Sequence, residues 1–373
     1  MSLKSVSLKL AGPGDKKLWD NYAEANGNGL AYHLFAWKLA VEESYGFECP
    51  YFMALKDGQM LGALPTVHMR LPLGKRKLVS LPYCDVGGVL AERPEIAEAL
   101  FNYACEYARD SRIAGIELRH TPELPLNGDS STSDTPPQKS PAPDENTTFS
   151  GKVRMIMDLP ESADALLASF KSKLRSQIKK PAKDGLTASL GGVELLDRFY
   201  AVFAENMRAL GSPVHSRAWL LSVLRQYGDR AKCGVVYMPD NIPAAAGIIL
   251  CHPKVVSIPW ASSLQKFNRF NPNMLLYWSF LAFAADNGYR FFDFGRSTPD
   301  EGTYRFKAQW GANPQPLKWE EWKRGKNGFS PVSFPSDSTT TGRGRKTAEA
   351  VFRKMPTSTA TFFGSRIRKY ISL

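Results

Sequence analysis

The chain has 373 residues and a formal net charge of +12, and 43% of its residues are hydrophobic and 12% aromatic. This length suits two folded domains, and the composition excludes global disorder. The five cysteines are scattered and form no C-x-x-C pair, which argues against a zinc site and a disulfide framework and favours a reducing cytoplasm.

The first half of the chain contains an ordered series of predicted elements. Residues 1–12 have no sustained apolar run, so we do not expect them to be a signal peptide. Apolar periodicity and turn residues then predict, in chain order, a helix around Trp37, strands at 51–55 and 61–69, a Ser-Leu-Pro-Tyr run at 80–83, a helix at 94–110 and a strand at 115–119.

The second half repeats this order after a segment at 121–150 that is rich in proline, serine and threonine, where we expect a flexible loop. The repeated elements are a helix around Trp219, strands at 232–238 and 244–252, a Ser-Ile-Pro-Trp run at 257–260, a helix at 272–287 and a strand at 289–294. The repeat predicts an α/β (α+β) fold of two similar domains in tandem, each a mixed twisted sheet flanked by helices. The predicted domains are 1–160 and 161–325, with a ligand cleft between them, followed by a basic, partly flexible tail at 326–373.

A separate helix is predicted at 163–180, between the two halves. Its apolar residues are spaced four apart and form one stripe, which consists of Leu166, Phe170, Leu174 and Ile178. Lysine and arginine residues surround this stripe, and Pro181 is expected to interrupt the helix. The basic face could bind the phosphates of a nucleotide, a lipid carrier or tRNA, and the alternative is a solvated surface.

The run at 302–311 is dense in aromatic residues, cations and glycine. A lysine held between aromatic side chains, here Lys307 beside Phe306, can stabilise a developing oxyanion or a phosphate without itself reacting. The preceding Asp293-Phe-Gly295 is expected to be a strand end at which glycine allows the backbone to turn. None of the five histidines has the spacing of a catalytic triad or a metal site, although His215 lies in a turn where a substrate contact could occur.

The C-terminal part carries most of the positive charge. From Lys323 to Leu373 there are 11 Lys or Arg residues and 2 Asp or Glu residues. Such a tail favours an anionic membrane surface or a nucleic acid as partner, with a solvated end as the alternative. Within it, residues 348–355 could rest on anionic lipid or form a short helix packed on the body. The longest apolar run, at 274–285, is shorter than the roughly 20 residues needed to span a bilayer, so we expect a soluble or peripheral protein.

Three segments together resemble the FemABX family of aminoacyltransferases. They are Leu174-Arg-Ser-Gln-Ile-Lys-Lys180, Phe291-Phe-Asp-Phe-Gly-Arg296, and Tyr304-Arg-Phe-Lys307 followed by Trp310-Gly311. The segments at 80–83, 152–155 and 173–177 are similar to a FemAB-like subgroup found with exosortase (PEP-CTERM) and exopolysaccharide systems.

The resemblance implies a tandem pair of domains like those of the GNAT (acyl-CoA N-acyltransferase) superfamily. It further implies transfer of an aminoacyl group from aminoacyl-tRNA to an amine of a peptidoglycan precursor, with Phe306 and Lys307 as the catalytic pair at the reacting ester. The candidate substrate-binding residues are Lys38, Trp37, Arg208, Tyr304, Arg305, Trp260 and Asn273. The candidate anion- and donor-binding residues are Lys173, Arg175 and Lys179.

An acetyltransferase usually carries a glycine-rich pyrophosphate loop where this chain has Phe270-Asn-Pro-Asn273. The missing glycines weaken the case for coenzyme A. Asn271 as N-cap and Pro272 at the first helical position would still leave free N–H groups that attract an anion.

We therefore expect a cytoplasmic N-acyltransferase, peripheral at the inner face of the cytoplasmic membrane, that acts on a cell-envelope or exopolysaccharide precursor, including a lipid-linked one. The acceptor amine would attack the activated ester or thioester directly, with no metal and no tightly bound cofactor, and the donor substrate is aminoacyl-tRNA or acyl-CoA. One alternative is an acetyl-CoA-dependent N-acetyltransferase of an amino sugar. Another is a non-catalytic protein of the same fold that binds a polysaccharide or a lipid-linked sugar.

Overall fold

A computed structural model describes residues 5–120, 149–332 and 343–373 of the chain, so nearly all of the predicted loop at 121–150 lies outside the described residues. The helices are α1 (Lys16–Ala25), α2 (Phe35–Tyr45), α3 (Pro94–Asp110), α4 (Ala163–Ser169), α5 (Ser172–Lys183), α6 (Leu196–Leu210), α7 (Arg217–Tyr227), α8 (Pro272–Asp286), α9 (Gly302–Ala308), α10 (Arg343–Lys354) and α11 (Thr357–Ile367). The strands are β1 (Ser7–Leu10), β2 (Phe52–Lys56), β3 (Gln59–Leu64), β4 (Val67–Arg70), β5 (Arg76–Ser80), β6 (Leu90–Ala91), β7 (Gly115–His120), β8 (Phe149–Asp158), β9 (Thr187–Gly191), β10 (Ala231–Tyr237), β11 (Pro243–Cys251), β12 (Val255–Ser263), β13 (Phe291–Ser297), β14 (Asn313–Gly325) and β15 (Gly328–Val332).

The strands form two sheets, a small antiparallel one and a large mixed one. A four-stranded sheet has the order β1-β2-β3-β6, and an 11-stranded sheet has the order β4-β5-β7-β14-β8-β13-β12-β11-β10-β9, with β15 paired to β14. Two neighbouring pairs in the large sheet, β5–β7 and β12–β13, are parallel, and each pair is connected through a long helix, α3 or α8. The same unit therefore occurs once in each half, which confirms the predicted tandem α/β fold.

The large sheet is continuous between the halves. Strand β14 pairs with β7 on one side and with β8 on the other, and β8 pairs with β13 as well. Strands from both halves of the chain thus lie in one sheet. The predicted domain boundaries at residues 160 and 325 stay a prediction.

Two predicted elements are each divided in the structure. The strand expected at 61–69 becomes β3 and β4, because Pro65 has no N–H to donate to a ladder. The helix expected at 163–180 becomes α4 and α5, because Phe170 is extended with ψ 147°. Pro181 does not end α5, which continues to Lys183; only the last helical turn loses an N–H donor.

The hydrophobic core joins the two halves. Trp37 on α2 meets Trp219 on α7 edge to face, with ring centroids 5.1 Å apart, and stacks on Trp260 of β12 at 6.3 Å. These side chains bury large apolar surfaces, and aromatic pairs of this geometry add to that stabilisation. A second core cluster lies under α8 and contains the predicted stripe of Leu166, Phe170, Leu174 and Ile178, which confirms its inward packing.

The C-terminal helices pack on α6. Arg208 Nη1 of α6 donates to the carbonyl of Arg353 at 2.9 Å, and Gly364 of α11 lies against the backbone of Pro213 and Val214. After α11 the chain returns to the first half, where the Tyr83 N–H donates to the carbonyl of Ser372 at 2.7 Å. In the described part of the chain, no helix is long and apolar enough to cross a membrane.

Candidate active site

The site begins where the parallel strands β12 and β13 separate. Their pairing includes Ser257 with Asp293 and stops there. Beyond this point β12 continues along β11, whereas β13 bulges at Gly295 and continues along β8. Gly295 has a φ of +72°, which glycine adopts without strain, so the expected turn at Asp293-Phe-Gly295 is present. The two strands thus leave a wedge-shaped gap between them, in which their backbones do not pair with each other.

Lys307 of α9 reaches into this wedge. Its side chain is buried, and Nζ donates to the carbonyls of Gly295 at 3.1 Å and Arg296 at 2.8 Å. An ammonium group has three donors, so one remains for a further acceptor. Burial lowers the pKa of Lys307 to about 8, while the nearby carboxylates of Asp85 and Asp293 oppose this shift. Lys307 is therefore a positioned cation at neutral pH, suited to stabilise negative charge that develops on a reacting carbonyl.

Asp293 fixes the backbone that holds Lys307. One carboxylate oxygen accepts from the Gly295 N–H at 2.8 Å, and the other accepts from Arg154 Nε at 3.0 Å and Ser257 Oγ at 3.3 Å. Asp85, in the first half, fixes the backbone of Arg296, whose N–H donates to the Asp85 carboxylate at 3.0 Å. Both halves of the protein therefore position the carbonyls that contact the lysine.

Two cavities meet at Lys307. The first, of about 360 Å³, lies between the halves and includes Tyr83, His215 and Trp260 in its wall. The second, of about 330 Å³, lies between β12, α9 and the start of α8. Ala261, Tyr277, Thr303 and Lys307 line both. A cation between two compartments suits a reaction of two bound molecules, because it can contact the atoms at which they meet.

The N-terminus of α8 opens toward the second cavity. Pro272 occupies the first turn, as expected, and Asn273 lines the cavity. Asn271 differs from the prediction, because its backbone is left-handed with φ 54° and its side chain makes no capping hydrogen bond. Pro272 has no N–H and the Met274 N–H donates to the Asn271 carbonyl at 2.9 Å, so the Asn273 N–H and the positive end of the helix dipole are what could receive an anion.

Several predicted site residues lie together around Lys307. Phe306 is half-buried, lines the second cavity and meets Tyr277 edge to face with centroids 4.9 Å apart. Trp260 lines the first cavity and Asn273 the second. Tyr304 packs against the core beneath α8, and Arg305 is exposed beside it.

The other predicted substrate-binding residues have structural partners away from both cavities. Trp37 is fully buried behind Trp260. Lys38 Nζ donates to Glu42 and to the carbonyl of Cys49, inside the first half. Arg208 contacts the tail helix α10. A lysine in an apolar surrounding requires such partners, which explains why Lys38 is drawn away from the cleft.

The predicted donor-binding cations lie on another surface. Lys173 lines a third cavity, of about 650 Å³, together with Trp310. Arg175 Nη1 donates to the carbonyls of Ala168 and Phe170 and so caps the end of α4, and Lys179 is exposed. In the residues that the structure describes, no group of three or more His, Cys, Asp or Glu side chains could hold a metal ion.

Sequence reasoning missed most of the first cavity. Asp85 follows the Ser-Leu-Pro-Tyr run that we identified as part of the repeat, but it has no motif of its own. Arg368 also lines this cavity, although the charge pattern suggested that the tail faces a solvated or anionic surface. His215 is buried in the wall, and its Nδ1 lies 2.8 Å from Tyr45 Oη, a contact between residues far apart in sequence.

Comparisons with known proteins agree with this architecture. Residues 168–308, which include Lys307, match the family model of an acetyltransferase (GNAT) domain. The chain is similar in structure to FemX, with a TM-score of 0.62 and 14% identity over 83% of this chain and 95% of that one. It is also similar to the C-terminal domain (DUF2156) of a protein described as a lysylphosphatidylglycerol synthetase from Agrobacterium fabrum, with a TM-score of 0.52 and 13% identity over 82% of this chain and 91% of that one. A search of curated proteins by sequence gave no match.

The protein is thus an acyltransferase with the GNAT fold. The matched domain extends from the end of α4 to the end of α9 and contains the wedge, the second cavity and the buried lysine.

Proposed function

We propose that the protein is a FemABX-type N-acyltransferase that moves an aminoacyl or acyl group onto an amine of a cell-envelope or exopolysaccharide precursor. The observation that carries this proposal is the position of Lys307 at the junction of two cavities. One cavity lies at the start of α8 and suits the donor, and the other lies between the halves and suits the acceptor. The motif around Lys307 and the overall likeness to FemX support the family assignment.

The proposed reaction is a direct acyl transfer. The acceptor amine attacks the carbonyl carbon of the donor ester or thioester, forming a C–N bond. The remaining N–H of Lys307 stabilises the oxyanion of the tetrahedral intermediate. The C–O or C–S bond then breaks, and the departing oxygen or sulfur takes the proton that the amine loses. Phe306 packs beside the reacting group, and no covalent enzyme intermediate forms.

The donor is aminoacyl-tRNA or acyl-CoA, and both carry phosphates. The N-terminus of α8 would bind a phosphate next to Asn273, as a helix end does without glycines. The name of the similar lysylphosphatidylglycerol synthetase, together with the FemABX motifs, favours the aminoacyl donor. The matched acetyltransferase domain is the observation that favours acetyl-CoA, and with it the amino-sugar N-acetyltransferase.

The acceptor precursor would be reached at an anionic membrane surface. Ala360 and Gly364 of α11 are buried against the body, whereas Phe362, Phe363 and Ile367 are 51%, 47% and 43% exposed. Arg366 lies over the Phe362 ring at 3.6 Å, so a cation accompanies the exposed aromatic face. A face of this composition suits the headgroup region of a bilayer, where a lipid-linked precursor would be available.

Donor binding tests the proposal. Purified protein is titrated calorimetrically with acetyl-CoA and, in parallel, with a mixture of aminoacyl-tRNAs, and transfer is followed with labelled acyl groups. Lys307→Ala should reduce transfer about 10²- to 10³-fold, the usual effect of removing an oxyanion donor. The matched control Lys17→Ala removes an exposed lysine of α1, which has no place in the candidate site, and should leave transfer unchanged.

Each outcome of the titration separates the alternatives. Binding of aminoacyl-tRNA supports the FemABX proposal. Saturable binding of acetyl-CoA alone replaces it with an N-acetyltransferase. Binding of neither donor overturns it in favour of a non-catalytic protein that binds a polysaccharide or a lipid-linked sugar. Unchanged transfer by Lys307→Ala overturns the role of Lys307 in the reaction.

A further inference from the structure

The segment after α11 forms part of the wall of the first cavity. Arg368 lines that cavity, beside Tyr83. The segment is held by three hydrogen bonds to the first half: the Tyr83 N–H and Arg119 Nη1 donate to the carbonyl of Ser372 at 2.7 and 3.2 Å, and Tyr83 Oη donates to the carbonyl of Lys369 at 2.6 Å. This is an ordered attachment between residues far apart in the chain.

Arg368 is a partly buried cation with cationic neighbours. Its Nη1 donates to the carbonyl of Ile371 at 2.6 Å, and its guanidinium lies 5.9 Å from the Tyr83 ring centroid. Nearby Arg296 is already close to Asp85, and Arg119 binds Glu117. Among the described residues, no carboxylate lies within ion-pair distance of Arg368. A partly buried charge without a counterion is costly, so the part of the cavity wall at Arg368 favours an anion, while Asp85 in the same wall is engaged by Arg296.

His215 presents a second donor to the same cavity. It is 2% exposed, and its Nε2 has no hydrogen-bond partner among the described residues. Nδ1 lies 2.8 Å from the Tyr45 hydroxyl, and in the tautomer in which this hydroxyl donates to Nδ1 the ring proton is on Nε2. Burial lowers the pKa of His215 well below its usual value, so the ring is a neutral N–H donor.

Arg368 and His215 both lie near the Tyr83 ring. The His215 ring centroid is 5.3 Å from that of Tyr83, and the Arg368 guanidinium is 5.9 Å from the same centroid. A planar guanidinium and an imidazole N–H suit the oxygens of a phosphate or a carboxylate.

We propose that Arg368 and Nε2 of His215 bind an anionic group, phosphate or carboxylate, of the acceptor substrate, with its amine directed toward Lys307. This inference rests on the proposed function in one respect, the assignment of the first cavity to the acceptor. It makes Arg368 a specificity-determining residue: neutral amines are poor acceptors, and amines that carry a phosphate or carboxylate are good ones.

Binding of small anions tests the subsite without turnover. The full chain is titrated calorimetrically at constant ionic strength with inorganic pyrophosphate and, separately, with glutarate, so that the two anion sources are distinguished. Arg368→Gln should weaken binding of the preferred probe about tenfold or more, because a charge-assisted hydrogen bond is lost. Arg198→Gln is the matched control, since that arginine is exposed on α6 and should leave the affinity unchanged.

A second variant guards against a folding defect. His215→Asn retains an acceptor near the position of Nδ1 for Tyr45 and removes Nε2, and it should also weaken probe binding. Melting temperatures are recorded for every variant, and donor titrations are repeated with each.

Weaker anion binding with unchanged donor binding supports the subsite. No anion binding by the wild-type protein, or equal affinities of Arg368→Gln, His215→Asn and Arg198→Gln, overturns it. A failure of the proposed function appears in a different measurement, the loss of donor binding or transfer by the wild-type protein.

Discussion

At the scale of single residues, Lys307 gives the protein a pH dependence. Because burial lowers its pKa to about 8, transfer should fall as the pH rises through this value and the ammonium loses its charge. Lys307→Arg should be slower at pH 7 but should keep its charge and lack this alkaline decline. The measurement is kcat/KM for both proteins between pH 6.5 and 9.5 with one acceptor. The same decline in both would assign it to another group.

The pH dependence of the free energy of unfolding is an independent test of the lowered pKa of Lys307. The unfolded chain has the ordinary lysine pKa of 10.5, so between about 8 and 10.5 the unfolded state binds more protons than the folded state. The free energy of unfolding of the wild-type protein, relative to Lys307→Met, should therefore rise with pH across that window. A flat difference would mean that Lys307 is not desolvated.

The sequence alone could suggest Lys307 and Phe306 as candidate site residues, because the family-like motif around them is local. It could not identify Arg368, since only tertiary folding brings residue 368 to Tyr83. Lys38 and Arg208 were expected at the substrate and instead bind Cys49 and Arg353. A loose sequence match at one position does not show whether a flexible lysine or arginine side chain points toward the substrate cavity or toward a partner elsewhere in the protein.

At the scale of elements, Gly364 controls the attachment of α11. An added Cβ would lie 2.9 Å from the Val214 backbone nitrogen, which cannot move aside as a flexible side chain could. Gly364→Ala should loosen α11 at a cost of about 1–3 kcal/mol, as overpacking usually does. Hydrogen exchange of residues 357–373 should become faster.

The control for this prediction is Gly14→Ala. Nothing lies within 4 Å of an added Cβ there, so exchange of the tail should stay at the wild-type rate. Wild-type protection in Gly364→Ala would show that α11 is held by other contacts. Loosening of α11 should also weaken anion binding, because Arg368 follows this helix directly.

Helices were predicted correctly where the apolar periodicity and the residues typical of helix ends indicated the same bounds. The helix expected at 94–110 matches α3, which begins at a proline, and the bounds of α8 differ by one residue. The break between α4 and α5 was not predicted, because Leu166, Phe170, Leu174 and Ile178 keep their spacing through it. A hydrophobic stripe indicates which side chains are buried but not whether the helix is continuous, because an extended residue such as Phe170 can keep the same side chains buried.

At the scale of the whole molecule, the exposed face of α11 predicts membrane association. The double substitution Phe362→Ser and Phe363→Ser should weaken binding to vesicles of phosphatidylglycerol and phosphatidylcholine about tenfold or more, given the transfer free energy of an aromatic side chain. Co-sedimentation measures this, and added salt should weaken wild-type binding by screening.

Leu190→Ser is the control, since Leu190 is also exposed but lies on β9, away from the tail. Equal sedimentation of all three proteins would exclude a membrane role for this face. Preference for neutral vesicles would exclude the electrostatic part of the association.

The tandem arrangement of the molecule could be predicted because the two halves repeat the same elements in the same order. The continuous sheet could not. Strand β14 contributes to the ladders of β7 and β8, and pairing over such separations leaves no local pattern in the sequence.

The double pairing of β14 also has a consequence for biosynthesis. While the chain is being translated, β7 emerges early and has β5 on one side, but its other neighbour is formed only by residues near 313–325. The nascent first half therefore exposes the unpaired edge of β7 until most of the polypeptide has left the ribosome. An unpaired strand edge can pair with strands of other chains. Folding of this enzyme is thus expected to be largely post-translational and to benefit from chaperones that shield this edge.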